Sequence, residues 1–208
     1  MVLAELWRYP VKSMGGEPLR EAEVGLDGLH GDRIVHVVDP RGRVVTARSK
    51  PALLARRASL GPDGEPLVDG RPWTAVELEA AAGPGARLMR SKAGLFDILP
   101  LLVATDGAVA AFGRDGRRLR PNLVIGGVDG LAERGWEGHT LRIGDVAIEL
   151  VDLRERCVMT TFDPDTQAQD VGVLLDIRRR FGGTLALNAR VVAPGRLRVG
   201  DAVVLEKR

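Results

Sequence analysis

The sequence predicts a mainly β protein with a few helices, of the barrel-like kind built from short strands and tight turns. Three observations carry that expectation. Apolar runs of strand length recur along the chain, Gly- and Pro-rich turn sequences punctuate them, and helical periodicity is confined to three short segments.

Val2 to Val11 is a mostly apolar run closed by Tyr9-Pro10, a first strand and its exit. Ile34 to Val38 leads into Asp39-Pro40-Arg41-Gly42, and Val44 to Ala47 resumes beyond it, the pattern of a hairpin with turn chemistry to match. Leu67-Val68-Asp69-Gly70-Arg71 predicts a second tight turn, and Gly61 to Pro66 and Gly83 to Gly85 are further breaks. Helices are expected over Ala52 to Ala58, Thr105 to Phe112 and Asp170 to Phe181. In the last, Val171, Leu174, Leu175 and Arg178 fall at helical spacing and Gly182-Gly183 ends the run. Leu141-Arg142-Ile143-Gly144-Asp145 and Leu197-Arg198-Val199-Gly200-Asp201 echo one another, as two Gly-Asp turns entering strands or, alternatively, as a duplicated unit. The stretch from about Ala86 to Phe96 is the expected junction, dividing the chain into 1–90 and 91–208.

At 208 residues and 45% hydrophobic composition the chain can bury a real core as one large domain or two small ones. No stretch approaches the roughly 18 to 20 consecutive apolar residues of a membrane span. The N-terminus lacks the basic start and apolar run of a secretory signal, so a cytoplasmic protein with no membrane partner is expected. A net charge of +2, from 30 basic and 28 acidic residues, does not call for a nucleic-acid partner. Of the basic residues 26 are Arg and only 4 are Lys, which makes each Lys worth attention. One Cys excludes an intramolecular disulfide and a zinc site of Cys pairs, and His30, His36 and His139 form no close-spaced ligand motif. A metal in this protein would be held mainly by something other than the chain's own side chains.

Cys157 is the chain's one thiolate candidate. Arg154 and Arg156 flank it, and nearby cations favour the thiolate, the form that binds soft metals. The alternative is a small buried apolar Cys. Asp163-Pro164-Asp165-Thr166 then forms a tight loop that would hold the strand end rigid. Lys12 and Ser13 stand at the exit of the first strand before Gly15 and Gly16, a pair able to grip a phosphate although the glycine pattern is not a Walker loop. Gly31-Asp32-Arg33 precedes the hairpin. Arg120 and Asn122, two apart on an extended chain, would share a face: a planar donor fork for phosphate beside an amide that both donates and accepts. Each alone reads equally well as a solvated surface residue. Together they suit a phosphorylated, sulfur-bearing organic cofactor that brings most of a metal's ligands with it.

Five blocks, in order, resemble the MOSC family, the molybdenum cofactor sulfurase C-terminal fold, together with its N-terminal β-barrel partner. They are Tyr9-Pro10-Val11-Lys12-Ser13, Gly31-Asp32-Arg33, Val45-Thr46-Ala47-Arg48, Leu119-Arg120-Pro121-Asn122, and Arg156-Cys157 through Thr160-Thr161 to Asp163-Pro164-Asp165-Thr166. The pattern is similar to the mitochondrial amidoxime-reducing components and their bacterial counterparts. The resemblance implies a MOSC-type β-barrel core over 91–208 packed with a smaller N-terminal β-barrel-like domain over 1–90. It implies the molybdenum cofactor in its nucleotide-free pyranopterin form, with Cys157 ligating the metal. Lys12, Ser13, Arg33, Arg120, Asn122 and Arg156 would hold its phosphate and pterin, with Thr105 near the phosphate. Cys157, Arg156 and Asp163 are the catalytic candidates of the last block.

The activity so implied is reduction of N-hydroxylated compounds: amidoximes, hydroxylamines and N-hydroxylated bases. The chain is compact between Arg87 and Pro100, where eukaryotic members carry an extra segment, and it lacks the cysteines of an appended iron–sulfur domain. Electrons are therefore expected from a separate donor of reductase, ferredoxin, flavodoxin or cytochrome type. The alternative is a carrier module that holds the cofactor without turnover. A barrel binding single-stranded nucleic acid is disfavoured, because such proteins lean on aromatic stacking and aromatics are 4% of this chain.

Overall fold

The computed structural model describes residues 1–207. The protein is mainly β, with short helices, as the sequence predicts. Its largest sheet has eight strands in the order Val204–Glu206, Thr140–Ile143, Val146–Glu155, Thr184–Ala193, Leu101–Thr105, Leu123–Gly126, Val2–Arg8 and Glu17–Leu19. Most neighbours run antiparallel, and Leu101–Thr105 lies parallel to Leu123–Gly126, the two joined through the helix Asp106–Phe112 as a parallel crossover requires.

The sheets are open rather than the closed barrels expected. The two edges of the large sheet are joined only by a short tie. Val2 bridges Ala202, and Leu3 N–H donates to Asp201 O at 2.9 Å, Gly200 N–H to Leu3 O at 2.8 Å and Val203 N–H to Met1 O at 3.0 Å. The ladder cannot extend from there, because Gly200 turns with φ at 98° and the chain then leaves to pair with Thr140–Ile143.

The first strands of the chain thus sit among strands from its second half. Val2–Arg8 pairs with Leu123–Gly126, and Glu21–Gly25 pairs with Gly195–Arg198. The intervening segment makes smaller sheets. The hairpin at Asp39 is present, with Val37 opposite Val45 and Val38 opposite Val44, and its turn is closed by Gly42 N–H to Asp39 O at 2.9 Å. Asp69 and Gly70 both have positive φ, 50° and 76°, in the turn between Pro66–Val68 and Arg71–Pro72, the twist-matched kind favoured in two-residue hairpins. Arg87–Arg90, in the expected junction, is a strand that pairs with Val35–Val38.

Two large apolar cores result, beside smaller clusters such as that of Phe112, Leu119, Val173, Ile177, Phe181 and Leu185. One fills the large sheet, with Leu3, Leu6, Leu101, Leu123, Ile125, Leu141, Ile143, Ile148, Leu150 and Leu187 all essentially buried. The other lies under the smaller sheets and gathers Val11, Met14, Val35, Val37, Leu53, Val68 and Leu78, with Phe162 reaching in from the second half. The expected helix at Ala52 to Ala58 is a single 3₁₀ turn, Pro51–Ala55, because Arg56 takes extended backbone and Ala58 is drawn into a ladder opposite Val68. The helix Gly172–Phe181 forms near the expected place and ends on Gly182 at φ 64°, but it buries Val173, Ile177 and Phe181, while Val171 and Leu175 of the expected apolar spacing are exposed.

Candidate functional site

A cleft opens where the two cores meet. Its lining includes Lys12, Ser13, Arg33, Arg120, Asn122, Arg156 and Cys157, seven of the predicted site residues, contributed by segments more than 140 residues apart.

Lys12 arrives from the turn that ends the first strand. Pro10 cannot donate to a ladder, and the chain bends there, with Lys12 N–H donating to Val35 O at 2.9 Å and Ser13 at φ 72°. The Lys12 ammonium donates to Leu95 O at 3.1 Å and to Asp97 Oδ1 at 2.6 Å. Burial pulls its pKa down, and the Asp97 carboxylate opposes that. Arg33 follows at φ 51°, ion-paired with the buried Asp32 and 5.0 Å over the Tyr9 ring.

Arg120 is not on extended chain as expected. It caps the 3₁₀ turn Gly116–Leu119 in left-handed backbone, φ 57°, and its guanidinium lies 4.3 Å from the centre of the Tyr9 ring, a cation–π seat. Three of the six non-glycine residues with positive φ, Ser13, Arg33 and Arg120, line this one cleft. Such backbone strain is held only where surrounding structure enforces it, and it gathers at functional sites.

Asn122 lines the cleft with its amide already engaged. Its Oδ1 accepts from Leu102 N–H at 3.1 Å and from Arg33 at 3.4 Å, while Nδ2 donates to Trp7 O and Asp32 Oδ2, each at 3.2 Å. It knits the first strand, Asp32 and the parallel pair together, and so holds Arg33 in place.

Cys157 lies two residues beyond the strand Val146–Glu155 and opens the turn Val158–Thr161. Its carbonyl accepts from Thr160 N–H at 3.0 Å and Thr160 Oγ1 at 2.9 Å, which fixes the backbone at Cys157. Arg156 donates from Nη2 to Leu119 O at 2.7 Å, and its buried Nε has no partner among the described residues. The same holds for Arg118 Nε, although its Nη2 reaches Asp163 Oδ2 at 3.0 Å. Loss of solvent lowers the pKa of Arg120 and of Arg156 to about 10, so both are charged at neutral pH.

Two predicted site residues do not line the cleft. Thr105 is fully buried, capping the helix Asp106–Phe112 by accepting from Ala108 N–H at 3.0 Å and donating to Glu133 Oε2 at 3.2 Å. Asp163 builds its own loop, accepting from Asp165 N–H at 3.1 Å, Thr166 N–H at 2.9 Å and Thr166 Oγ1 at 3.1 Å. Those hydrogen bonds hold its carboxyl below the usual range. It reaches the cleft only by steadying Arg118.

Other residues of the cleft escape sequence reasoning. Arg48, in the third matching block, lies in the lining beside Cys157. Burial lowers its pKa, and contacts to Cys157 and Asp97 more than offset that, leaving it raised. Asp97 comes from a segment with no readable pattern and meets Lys12, Arg48 and Arg154. Met159, Thr160 and Asn188 complete the wall. Seven cations and two carboxylates face the cleft, an excess that attracts an anion. No group of three or more His, Cys, Asp or Glu residues able to hold a metal ion occurs among the described residues.

The fold and the cleft define a class, and comparison names it. Residues 1–90 match the family model "MOSC N-terminal beta barrel domain" and residues 109–204 match "MOSC domain"; the chain belongs to the MOSC-domain proteins. It is 28% identical to the human mitochondrial amidoxime-reducing component 1, with 98% of this chain and 82% of that protein covered. It is 26% identical to the mitochondrial amidoxime reducing component 2 of Macaca fascicularis, covering 86% and 72%. Among solved structures, the YuaD protein from Bacillus subtilis shares the fold at a TM-score of 0.54 and 14% identity, with 100% of this chain and 96% of that one covered. No helix among the described residues is long and apolar enough to cross a membrane.

Proposed function

We propose that this protein is a molybdenum-cofactor-dependent oxidoreductase that reduces N-hydroxylated compounds with electrons from a separate redox partner. One observation carries the reading: the chain's only thiol faces a cleft in which seven cations meet two carboxylates. An anionic, sulfur-rich pterin ending in a phosphate suits that donor set. The orphaned Nε–H groups of Arg118 and Arg156 suit it too, because a buried donor without an acceptor is costly and an anionic ligand would satisfy it. We further take residues 1–90 and 91–208 as its two domains, and a nucleotide-free pyranopterin in the cytoplasm as its cofactor form and setting.

In this reading Cys157 would hold the metal. Lys12, Ser13, Arg33, Arg120 and Arg156 would hold the cofactor's phosphate and pterin, with Asn122 keeping Arg33 aimed. When bound, the cofactor supplies two-electron chemistry, and the protein supplies position and charge. Reduction of an amidoxime consumes two electrons and two protons, breaks the N–O bond and releases the oxygen as water. The cations around Cys157 also suit substrates whose N–OH oxygen gains negative charge as that bond breaks.

The test is metal and pterin content of protein from a host that makes the cofactor, followed by turnover of benzamidoxime with a reduced dye. About one molybdenum per chain with turnover supports the reading. Loaded protein that never turns over favours the carrier alternative. Folded protein without metal or pterin removes the proposal.

A further inference from the structure

Asp97 lines the cleft and is ion-paired with three of its cations. Its Oδ1 takes Lys12 Nζ at 2.6 Å, and its Oδ2 takes Arg48 at 2.6 Å and Arg154 at 3.5 Å. The three partners come from three separate places: the turn after the first strand, the loop after Val44–Val45 and the long strand before Cys157. One negative charge faces three positive ones, so the cluster keeps an excess of about two charges and still attracts an anion. Lys12 and Arg154 are well covered, at 11% and 16% side-chain exposure, which strengthens their pull on any oxyanion that reaches them.

The segment that carries Asp97 is loosely attached. Among the described residues, Phe96–Pro100 make no backbone–backbone hydrogen bond, and Asp97 and Ile98 are exposed. Leu95 is the last point of anchorage, donating to Arg33 O at 3.0 Å. The regular ladder resumes only at Leu101. Asp97 can therefore leave its partners without breaking a strand, whereas Lys12 and Arg154 are fixed by the turn and the sheet.

We propose that Lys12, Arg48 and Arg154 form an oxyanion subsite beside Cys157, which Asp97 fills from within the chain and gives up to an incoming oxyanion. The ligand chemistry is a phosphate or carboxylate group, presented either by the cofactor or by an anionic N-hydroxylated substrate. Both sources rest on the function proposed above, whereas the subsite itself rests on the geometry of Lys12, Arg48, Arg154 and Asp97.

The experiment titrates inorganic phosphate into the cofactor-free protein by calorimetry, at fixed ionic strength held with chloride. Asp97→Asn removes the internal competitor and is expected to tighten phosphate binding on the order of tenfold, because the receptive state no longer has to be released first. Asp97→Ala is the second variant should the first fail to fold, and thermal melting reports folding for each. Asp97→Asn together with Lys12→Ala is expected to lose the gain. Phosphate affinity unchanged or weaker in folded Asp97→Asn and Asp97→Ala would overturn the proposal, since Asp97 would then only align the cations. The same titration on cofactor-loaded protein separates the two sources. A gain that persists assigns the subsite to substrate, and a gain that loading abolishes assigns it to the cofactor's own phosphate. Protein that never loads leaves the first titration intact, so failure of the functional reading and failure of the subsite are read separately.

Discussion

Two populations of arginine share this molecule. On the outer surface of the sheets each has a carboxylate partner: Arg142 pairs with Glu206 at 2.7 Å and Arg190 with Glu149 at 2.7 Å on the large sheet, and Arg196 with Glu23 at 2.6 Å on a smaller one, each arginine well exposed. In the cleft Arg120 makes no ion pair among the described residues and sits on an aromatic ring instead, while Arg118 and Arg156 keep buried Nε–H groups without acceptors. The exposed pairs are cheap to make and cheap to lose. Among the described residues, Arg120 and Arg156 of the cleft hold charge with no carboxylate paired to them where solvent is scarce, a cost that a bound anion would offset. The residue type is the same, and what separates the populations is whether the matching charge lies within the chain.

Cys157→Ala is the sharpest way to probe the cleft side. Turnover should fall more than roughly 100-fold, because the variant removes the proposed metal ligand itself, while pterin fluorescence of the purified protein should stay high. Full activity would take Cys157 out of the site.

Ile148→Ala tests the opposite territory, the sheet core where Ile148 is fully buried. It should lower unfolding free energy by about 2 to 5 kcal/mol in denaturant titration and leave cofactor content of the folded fraction unchanged. Arg120→Ala should do the reverse, reducing cofactor occupancy on the order of tenfold by removing a charge-assisted grip, with little change in melting midpoint. If Arg120→Ala instead destabilised the apo-protein, its charge would be serving the fold.

Glu133 is a buried acid outside the cleft, with one carboxyl oxygen unpartnered. Burial raises its pKa above the ordinary 4.5. The stability it contributes is therefore fully present below pH 4.5 and is lost as pH rises through the folded-state value. Glu133→Gln should flatten that slope and add about 1 kcal/mol at neutral pH, measured by denaturation at several pH values. The smallest effect is expected from Arg142→Ala on the outer face, whose melting midpoint should match the parent.

Much of the fold was readable from local chemistry. The Asp39-Pro40-Arg41-Gly42 and Asp69-Gly70 turns, the first strand and the helix ending at Gly182 lie where the pattern puts them, because turn residues act over three or four positions. The helix expected at Ala52 to Ala58 was lost to a ladder partner, Val68, that lies outside its window. In the cleft, the short blocks around Lys12, Arg33, Arg120 and Cys157 were visible as motifs. Asp97 was not, because its segment has neither periodicity nor turn signal. Thr105 and Asp163 were placed at the site by the family resemblance, and in the structure they cap a helix and build a loop.

The sequence by itself determined the β character, the turn positions and the presence of a single thiol flanked by cations, all of which follow from residue type and spacing along one stretch of chain. Only the tertiary structure decided which arginines lack a carboxylate and which residues face Cys157. That choice depends on pairings such as Val2–Arg8 with Leu123–Gly126, on the left-handed backbone at Ser13, Arg33 and Arg120, and on a loop that lays Asp97 across Lys12 and Arg154. Charge compensation is a matter of distance in space, and no local pattern encodes it.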